Sequence, residues 1–307
     1  MQNKFGSQIV CAYLYPITKY GYPPPPEHSL NYLQEMTDLG FQSVELEGIR
    51  EEHLVAMHQN RKAIANKIKE LQITVPVYCT VLPHLSSQDE KIIEKQLELF
   101  RLGCETAKSL GATYILDNGP LPPYQFPNEI PVTRHYEHEL LSQASIPADF
   151  NWQDFWNRLI STFQRVCDIA AEFKLTYLIH PAFGVLASTP EAFLHFYQAV
   201  NRDNLGYNFD TSNLIALKCN LSLAIKQLGA HIKYIHVSDN RGRKNEHLPI
   251  GNGIINWSQF FKDLEAIDYR GPFGVDVGGD ESDIGDLDQA FKTTAVQIEK
   301  YLNNSKL

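Results

Sequence analysis

Four residues that can bind metal ions stand at the ends of four successive apolar segments in the second half of the chain. They are His180, Asp210, His236 and Asp276. If these segments are neighbouring strands of one closed barrel, their ends share a rim and the four side chains converge. Two imidazoles with two carboxylates suit Zn²⁺, Mn²⁺, Fe²⁺, Co²⁺ or Ni²⁺, whereas Mg²⁺ prefers oxygen ligands alone. Polar residues also end strands as caps or loop hydrogen-bonders, so the spacing alone leaves a plain structural role open.

An ion at this rim would polarise a substrate carbonyl, or two adjacent substrate oxygens, and stabilise an enolate-like intermediate. Two further pairs of polar residues are candidates for the same rim. Arg241 and His247 lie in a glycine-containing loop after His236, which suits either the hydroxyls or phosphate of a small anion or a solvated basic surface. Glu45 and Glu47 end an earlier apolar segment and point to the same side of a strand. They either flank the site or pair with a neighbouring strand end.

Short apolar segments alternate with longer helical patterns along the whole chain. The predicted strands are Ile9–Tyr15, Ser43–Leu46, Thr74–Cys79, Thr113–Leu116, Thr176–Ile179, Leu205–Phe209, Ile232–Val237 and Phe273–Val277. The predicted helices are Ser29–Leu39, Glu51–Leu71, Asp89–Leu110, Phe155–Phe173, Pro190–Val200, Leu221–Leu228, Trp257–Ile267 and Asp286–Leu302. Strands with nearly continuous apolar character are typical of a parallel sheet covered by helices.

This alternation predicts the α/β class and a single (β/α)8 TIM barrel that occupies residues 1–307 as one domain. A doubly wound open sheet is the alternative, but no Gly-x-Gly-x-x-Gly motif follows the first strand. His53 and His58 fall within a predicted helix, and we expect them at its surface.

Prolines mark two unusual connections in the predicted barrel. Eleven of the 17 prolines lie after strand one or in a long proline-rich loop after strand four, residues 118–151. Both connections follow the carboxyl ends of strands, where barrel active sites are built. The long loop carries Arg134, His135 and Tyr136. Loops of this length are usually lids, binding loops or disordered segments, and we expect a lid or an oligomer contact, with disorder as the alternative.

Composition narrows the class of protein. The net charge of -9 argues against nonspecific binding to nucleic acid, whose phosphates attract a basic surface. No apolar stretch is long enough for a membrane span. The five cysteines are widely spaced and form no Cys-x-x-Cys pair, so we expect neither a disulfide framework nor a thiolate zinc site. A cytoplasmic protein is the expected result.

Several segments, in order along the chain, carry a resemblance to a known family. They are Phe41-Gln-Ser-Val-Glu-Leu-Glu-Gly48, Ala107-Lys-Ser-Leu-Gly-Ala-Thr113, Ser188-Thr-Pro-Glu-Ala192, Asn204-Leu-Gly-Tyr-Asn-Phe-Asp-Thr-Ser-Asn213, His236-Val-Ser-Asp239 and His247-Leu-Pro-Ile-Gly-Asn-Gly253, followed by Trp257. With them the chain resembles the xylose isomerase-like TIM barrels, often described as sugar phosphate isomerase/epimerases. That superfamily also holds ketose 3-epimerases, inosose dehydratase and endonuclease IV.

Residue by residue, the resemblance implies that Asp210 and His236 bind one divalent metal ion. In the epimerase-like members the other two ligands are glutamates after strands five and eight, which also exchange the substrate proton. Here His180 and Asp276 stand at those positions, so the resemblance supports the metal site better than the epimerase chemistry. We expect Asp276 to be the catalytic base and His180 its partner, since each can move a proton if its pKa is suitably tuned.

The resemblance also suggests which residues contact the substrate. Many family members have a second histidine three residues after the strand-six aspartate, where this chain has Asn213, which can hydrogen-bond a hydroxyl. We expect Arg241 and His247 to hold the distal hydroxyls or a phosphate, and Glu47 to flank the substrate. Asn245 replaces an aspartate of the endonuclease IV-like metal pair, which argues against DNA repair.

These observations predict a metal-dependent isomerase or epimerase of a sugar, sugar phosphate or related polyol ketone. Two alternatives stay open: a dehydratase of a polyol ketone that uses the same ion, and a barrel that binds sugars without catalysis. The expected partner is a small carbohydrate, with no nucleic acid and no membrane. The resemblance further suggests a homodimer or homotetramer.

Overall fold

The computed structural model describes residues 4–128, 136–304 and 307. The strands are β1 (Ile9–Cys11), β2 (Ser43–Ile49), β3 (Thr74–Val81), β4 (Tyr114–Asn118), β5 (Thr176–His180), β6 (Leu205–Asp210), β7 (Ile232–Val237) and β8 (Phe273–Val275). All pairings between them are parallel, and β1 pairs with both β2 and β8, which closes the barrel in chain order. The predicted (β/α)8 TIM barrel is therefore confirmed.

Helices follow the strands, and the longer ones cover the outside of the barrel. They are α1 (Leu14–Tyr20), α2 (Ser29–Asp38), α3 (Arg50–Leu71), α4 (Glu90–Leu110), α5 (His138–Leu141), α6 (Trp152–Glu172), α7 (Pro190–Val200), α8 (Thr211–Ala216), α9 (Leu221–Leu228), α10 (Trp257–Ala266) and α11 (Leu287–Asn303). Apart from α5, which buries no residue, their buried faces and the strands share one apolar core. In the part of the chain that the structure describes, none of these helices combines the length and the apolar character that a bilayer crossing requires.

Local sequence explains the helix ends that agree with the prediction. Thr189 accepts a hydrogen bond from the backbone N–H of Ala192, and Pro190 occupies the first turn of α7, where its missing N–H is not needed. Gly111 ends α4 in the left-handed conformation, with φ at 85°. Capping and glycine signals of this kind are local, which is why the sequence alone locates them.

The first predicted strand is too long. The strand ends at Cys11, and the apolar residues that follow begin helix α1 at Leu14. Pro16 lies in the first turn of this helix, where proline is tolerated. A short apolar run does not by itself distinguish a strand from a buried helix, which is the source of the error.

The expected surface position of His53 is also wrong. Its side chain lies in α3 but is buried, and its Nδ1 accepts a hydrogen bond from the backbone N–H of Ile49 at 2.9 Å. The first turn of α3 therefore packs against the end of β2 through a neutral imidazole.

The loop after β4 is only partly described, and the predicted loop residues Arg134 and His135 lie outside the described residues. The described parts are held together by an antiparallel bridge between Gln125 and Ser145 and by ring contacts of Tyr136 with Tyr124 and Phe126. Tyr136 and the first residues of this loop approach the mouth of the barrel. The loop is thus placed beside the site, and its role as a lid stays a prediction.

Candidate metal centre

The four predicted metal ligands lie together at the carboxyl ends of the last four strands. His180 ends β5, Asp210 ends β6, His236 lies one residue before the end of β7, and Asp276 follows β8. Asp210 and His236 are direct partners in the pairing of β6 with β7. His247, from the loop after β7, joins the group, although we expected it to contact substrate.

Asp210 is the centre of this group. Its Oδ2 lies 3.8 Å from His180 Nε2, 3.9 Å from His236 Nδ1 and 3.8 Å from His247 Nε2. Its Oδ1 accepts the backbone N–H of Asn213 at 2.8 Å and so caps helix α8. The cap fixes the orientation of the carboxylate: Oδ1 is bonded to the helix, and Oδ2 faces the three imidazoles.

Asp276 approaches the same histidines from the far side. Its Oδ2 lies 3.7 Å from His236 Nδ1 and 3.6 Å from His247 Nε2. Two groups of possible ligands result, His180 with Asp210 and His236, and Asp210 with His247 and Asp276, each with its ligand atoms within 4.8 Å of one another. Asp210 belongs to both groups.

The donor set and its spacing fit a divalent ion. Bonds of ~2.1 Å to nitrogen and oxygen place two ligands of a tetrahedral ion ~3.4 Å apart. The separations of 3.6 to 3.9 Å between the carboxylate oxygens and the imidazole nitrogens need only a small contraction. Imidazole and carboxylate together favour a transition metal or zinc over Mg²⁺.

Two buried residues outside the predicted set orient the imidazoles. Glu45 Oε2 lies 2.9 Å from His236 Nε2, and Glu45 Oε1 accepts the backbone N–H of Tyr13. The Asn208 amide nitrogen lies 2.7 Å from His180 Nδ1 and 3.1 Å from His236 Nδ1. Partners of this kind set the ring orientation of metal-binding histidines.

Charge also favours a cation at this position. Burial alone lowers the pKa of His236, but Asp276, Glu45 and Asp210 outweigh it and raise that pKa to about 10. Burial also lowers the pKa of His247, but hydrogen bonds and charge from Asp210 and Glu281 outweigh burial and raise that pKa to about 9. Burial raises the pKa of Asp210, yet the surrounding imidazoles hold it below its usual range. The carboxylates thus carry enough negative charge to stabilise added positive charge.

A cavity of about 50 Å³ opens beside the centre at the mouth of the barrel. His180, His236 and Asp276 form part of its wall, and Glu47 and Asn118 add further polar groups. Apolar residues from α1, β3 and β4 complete the lining. The cavity therefore offers a small polar molecule access to both an imidazole and a carboxylate of the cluster.

The residues predicted to contact substrate lie at different distances from the cavity. Glu47 faces the cavity, while Asn213 is buried with its side-chain nitrogen 3.1 Å from Asp210 Oδ2 and 3.1 Å from His180 Nε2. Arg241 lies away from the cavity beside the predicted metal ligands. Its Nη1 pairs with Glu246 at 2.7 Å, its side chain is 56% exposed, and it lines a different, open surface cavity.

Sequence reasoning missed three contributors to the centre. Asn208 lies two residues before Asp210 on β6, so strand alternation alone places both on the inner face. Glu45 was considered at the site but not as a partner of His236. Glu281, 3.5 Å from His247 Nδ1, lies in a short helical turn after β8 that no pattern marks.

Comparison with known proteins gives one family. The family model described as xylose isomerase-like TIM barrel matches residues 33–296. L-ribulose-5-phosphate 3-epimerase UlaE of Escherichia coli is 23% identical over 266 residues, which cover 83% of this chain and 84% of that protein. Uncharacterized protein MJ1311 of Methanocaldococcus jannaschii is 28% identical over 134 residues, 41% of this chain, and the match spans only 46% of that protein.

Solved structures share the fold at low sequence identity. A structure of L-ribulose 3-epimerase superposes with a TM-score of 0.71 at 19% identity, covering 97% of this chain and 95% of that one. The IOLI protein, crystallised with a zinc atom, gives a TM-score of 0.70 at 17% identity, covering 97% and 98% of the two chains. At these identities the likeness concerns the barrel and its elements.

Proposed function

The chain belongs to the xylose isomerase-like TIM barrel family, and from that membership we propose that it is a metal-dependent epimerase or isomerase of a sugar, sugar phosphate or related polyol ketone. The observation that carries the proposal is a pair of proton-transfer groups, His180 and Asp276, on the wall of one cavity beside the buried carboxylate of Asp210. The epimerase UlaE, similar over most of both chains, supports the same reaction class.

We propose that His180, Asp210, His236 and Asp276 hold one divalent ion, with His247 close enough to be a fifth ligand. When bound, such an ion supplies positive charge that polarises a substrate carbonyl and lowers the barrier to losing the neighbouring proton. Glu45 contributes by holding Nε2 of His236, so that Nδ1 faces the carboxylates of Asp210 and Asp276. The IOLI protein with its zinc atom supports zinc as one candidate.

Proton transfer falls to the two groups that face the cavity. Inverting a carbon next to a carbonyl requires that a proton leave one face of the substrate and return to the other. His180 on β5 and Asp276 after β8 are separated by two intervening strands around the rim, so a substrate between them presents a different face to each. Asp276 is the proposed base and His180 the proposed acid.

Other residues of the cavity orient the substrate. Glu47 and Asn118 line it and can hydrogen-bond sugar hydroxyls. Asn213 acts indirectly, because its side-chain nitrogen is already bonded to Pro181 O and Asp210. It positions His180 and Asp210 relative to one another.

The proposed setting is the cytoplasm. All five cysteines are free, and four of them are buried, which a reducing compartment permits. A homodimer or homotetramer stays a prediction.

The test combines elemental analysis with proton exchange. The purified, untagged protein should hold one equivalent of a transition metal, and a double Asp210→Ala/His236→Ala variant should lose it. Ketoses and ketose phosphates incubated with the wild type in D₂O should gain deuterium next to the carbonyl, and chelator-treated protein should not exchange it. Sugar binding without exchange would contradict catalysis and favour the non-catalytic alternative.

A further inference from the structure

A second cavity, of about 40 Å³, lies next to the first at the mouth of the barrel. The two cavities share Tyr22, Val81 and Asn118 in their walls. The second extends away from the metal centre, between the segments that follow β2, β3, β4 and β5. A substrate held at the metal centre can therefore reach into it.

Arg50 supplies the positive charge of this second cavity. It is the first residue of α3, immediately after β2, and is half-buried. Within the described ranges, its Nε is buried without a hydrogen-bond partner and Arg50 forms no ion pair. A guanidinium keeps its charge at every physiological pH and offers five N–H donors. A half-buried guanidinium without a counter-ion is costly to leave unpaired.

The other polar groups of the cavity do not neutralise Arg50. Asp117 also faces the cavity, but burial raises the pKa of its carboxyl well above the usual range. Its oxygens accept hydrogen bonds from Thr80 Oγ1 and from the backbone N–H groups of Leu82 and Asn118. They are therefore committed to the strand ends and not to the guanidinium.

The groups around Arg50 add no second positive charge to the cavity. The pKa of His84 is lowered, mainly by burial and further by Arg50, so this imidazole is neutral near pH 7 and adds no second cation. Tyr136 presents an aromatic ring to the cavity, beside Phe163 and Phe183. The surroundings are thus mostly apolar, which strengthens any charge-assisted hydrogen bond made there.

The backbone of Arg50 is held in an unusual conformation. Its φ is +59°, in the left-handed region that costs a non-glycine residue free energy. Residues kept in such conformations occur often at ligand sites, where the surrounding structure enforces them. Here the conformation sets the direction in which the side chain leaves the end of β2.

We propose that Arg50 binds a terminal anionic group of the substrate, a phosphate or a carboxylate, at the end of the sugar that lies away from the metal centre. The proposal deepens the proposed function and rests on it for the sugar, whereas the binding of an anion at Arg50 does not depend on catalysis. It narrows the substrate from sugars in general to ketoses that carry an oxyanion.

The first experiment measures anion binding by calorimetry on the protein as purified, with inorganic phosphate and acetate as separate probes. Arg50→Gln should weaken binding of the preferred anion about 10- to 100-fold. Arg101→Gln, which removes an exposed arginine paired with Glu172, should leave it unchanged. Tighter binding of phosphate than acetate assigns a phosphorylated sugar, and the reverse assigns a sugar acid. Equal anion binding by wild type and Arg50→Gln overturns the proposal.

The second experiment compares the free and phosphorylated forms of one ketose. Arg50→Gln should weaken binding of the phosphorylated form and change binding of the free form by no more than about twofold. Equal weakening of both forms would make Arg50 a structural residue and overturn the proposal. If the variant melts early, Arg50→Lys replaces it, and it should retain part of the preference for the phosphorylated form. Anion binding that depends on Arg50 without any proton exchange would keep the subsite and reject the epimerase.

Discussion

Glu45 Oε2 lies 2.9 Å from His236 Nε2, although the two residues are 191 positions apart in the chain. Glu45 lies on β2 and His236 on β7, so the contact crosses the mouth of the barrel. Because this contact engages Nε2, the Nδ1 atom of His236 faces Asp210 and Asp276. The carboxylate of Glu45 thereby leaves Nδ1 as the nitrogen that the proposed ion would contact.

Replacing Glu45 by Gln should weaken metal binding. The amide keeps the size of the side chain but loses the charge that orients the imidazole, and losses of about 10- to 100-fold in affinity are usual for such partners. Competition with a chelating dye measures the affinity. Glu47→Gln, two residues along the same strand, should leave the affinity unchanged. Wild-type affinity in Glu45→Gln would show that the contact does not support the metal site.

The sequence was sufficient to locate most of the barrel and the rim residues of the centre, because strand alternation and helix caps are local signals. Contacts across the mouth of the barrel could not be predicted from the sequence. Glu45 meets His236 only after the barrel closes, and periodicity within β2 does not reveal which opposite strand its side chain reaches. The composition of its loop predicts that His247 contacts substrate, and that stays a prediction. The same composition does not reveal that His247 lies 3.6 Å from Asp276, because the turn that brings it there depends on hydrogen bonds made at long range.

Replacing His247 by Ala should lower metal affinity, whereas Arg241→Ala should not. His247 Nε2 lies 3.8 Å from Asp210 Oδ2 and 3.6 Å from Asp276 Oδ2, but Arg241 pairs with Glu246 on the exposed side of the same loop. Metal content after gel filtration, with binding constants from competition, separates the two variants. A large rise in KM with full metal content in His247→Ala would instead support direct contact with substrate.

Replacing Asp276 by Asn should abolish turnover. An amide cannot accept the substrate proton, and general base catalysis is worth roughly 10²- to 10⁴-fold. Proton exchange in D₂O, followed by NMR, gives the rate, and elemental analysis must accompany it because Asp276 is also a proposed ligand. Exchange close to the wild-type rate would remove Asp276 from the mechanism.

Replacing Asp239 by Asn should destabilise the fold. Asp239 is fully buried, and its Oδ2 accepts the backbone N–H of Gly251 and the indole N–H of Trp257, both at 2.9 Å, while Oδ1 accepts the N–H of Ile255. An amide leaves at least one of these donors unpaired, at about 1–3 kcal/mol each. Urea unfolding measures the loss, and Asp268→Asn on the surface is the control.

The candidate metal centre is linked to the same loop. Asp239 and Leu248 exchange backbone hydrogen bonds, and Leu248 directly follows His247. If Asp239→Asn loosens the loop, metal content should fall together with stability. Lost stability with unchanged metal affinity would mean that His247 is positioned by other contacts.

Stability should fall as the pH drops from about 6.5 to about 4 because of His53. Burial lowers the pKa of His53 from its ordinary value of 6.5 to about 4, and its Nδ1 must stay unprotonated to accept the N–H of Ile49. In this window the unfolded chain binds more protons than the folded one, so unfolding becomes easier as acid is added. The contribution is complete above pH 6.5 and is at most about 3 kcal/mol.

The variant His53→Gln isolates this contribution from the carboxylates that titrate in the same range. Its free energy of unfolding should be lower than that of the wild type at pH 7, and the difference should shrink steadily toward pH 4, where the wild type has itself lost the benefit. Denaturant unfolding at intervals across this range measures both curves. A constant difference between them would show that burial does not hold His53 neutral and that the packing of α3 on β2 is insensitive to its proton.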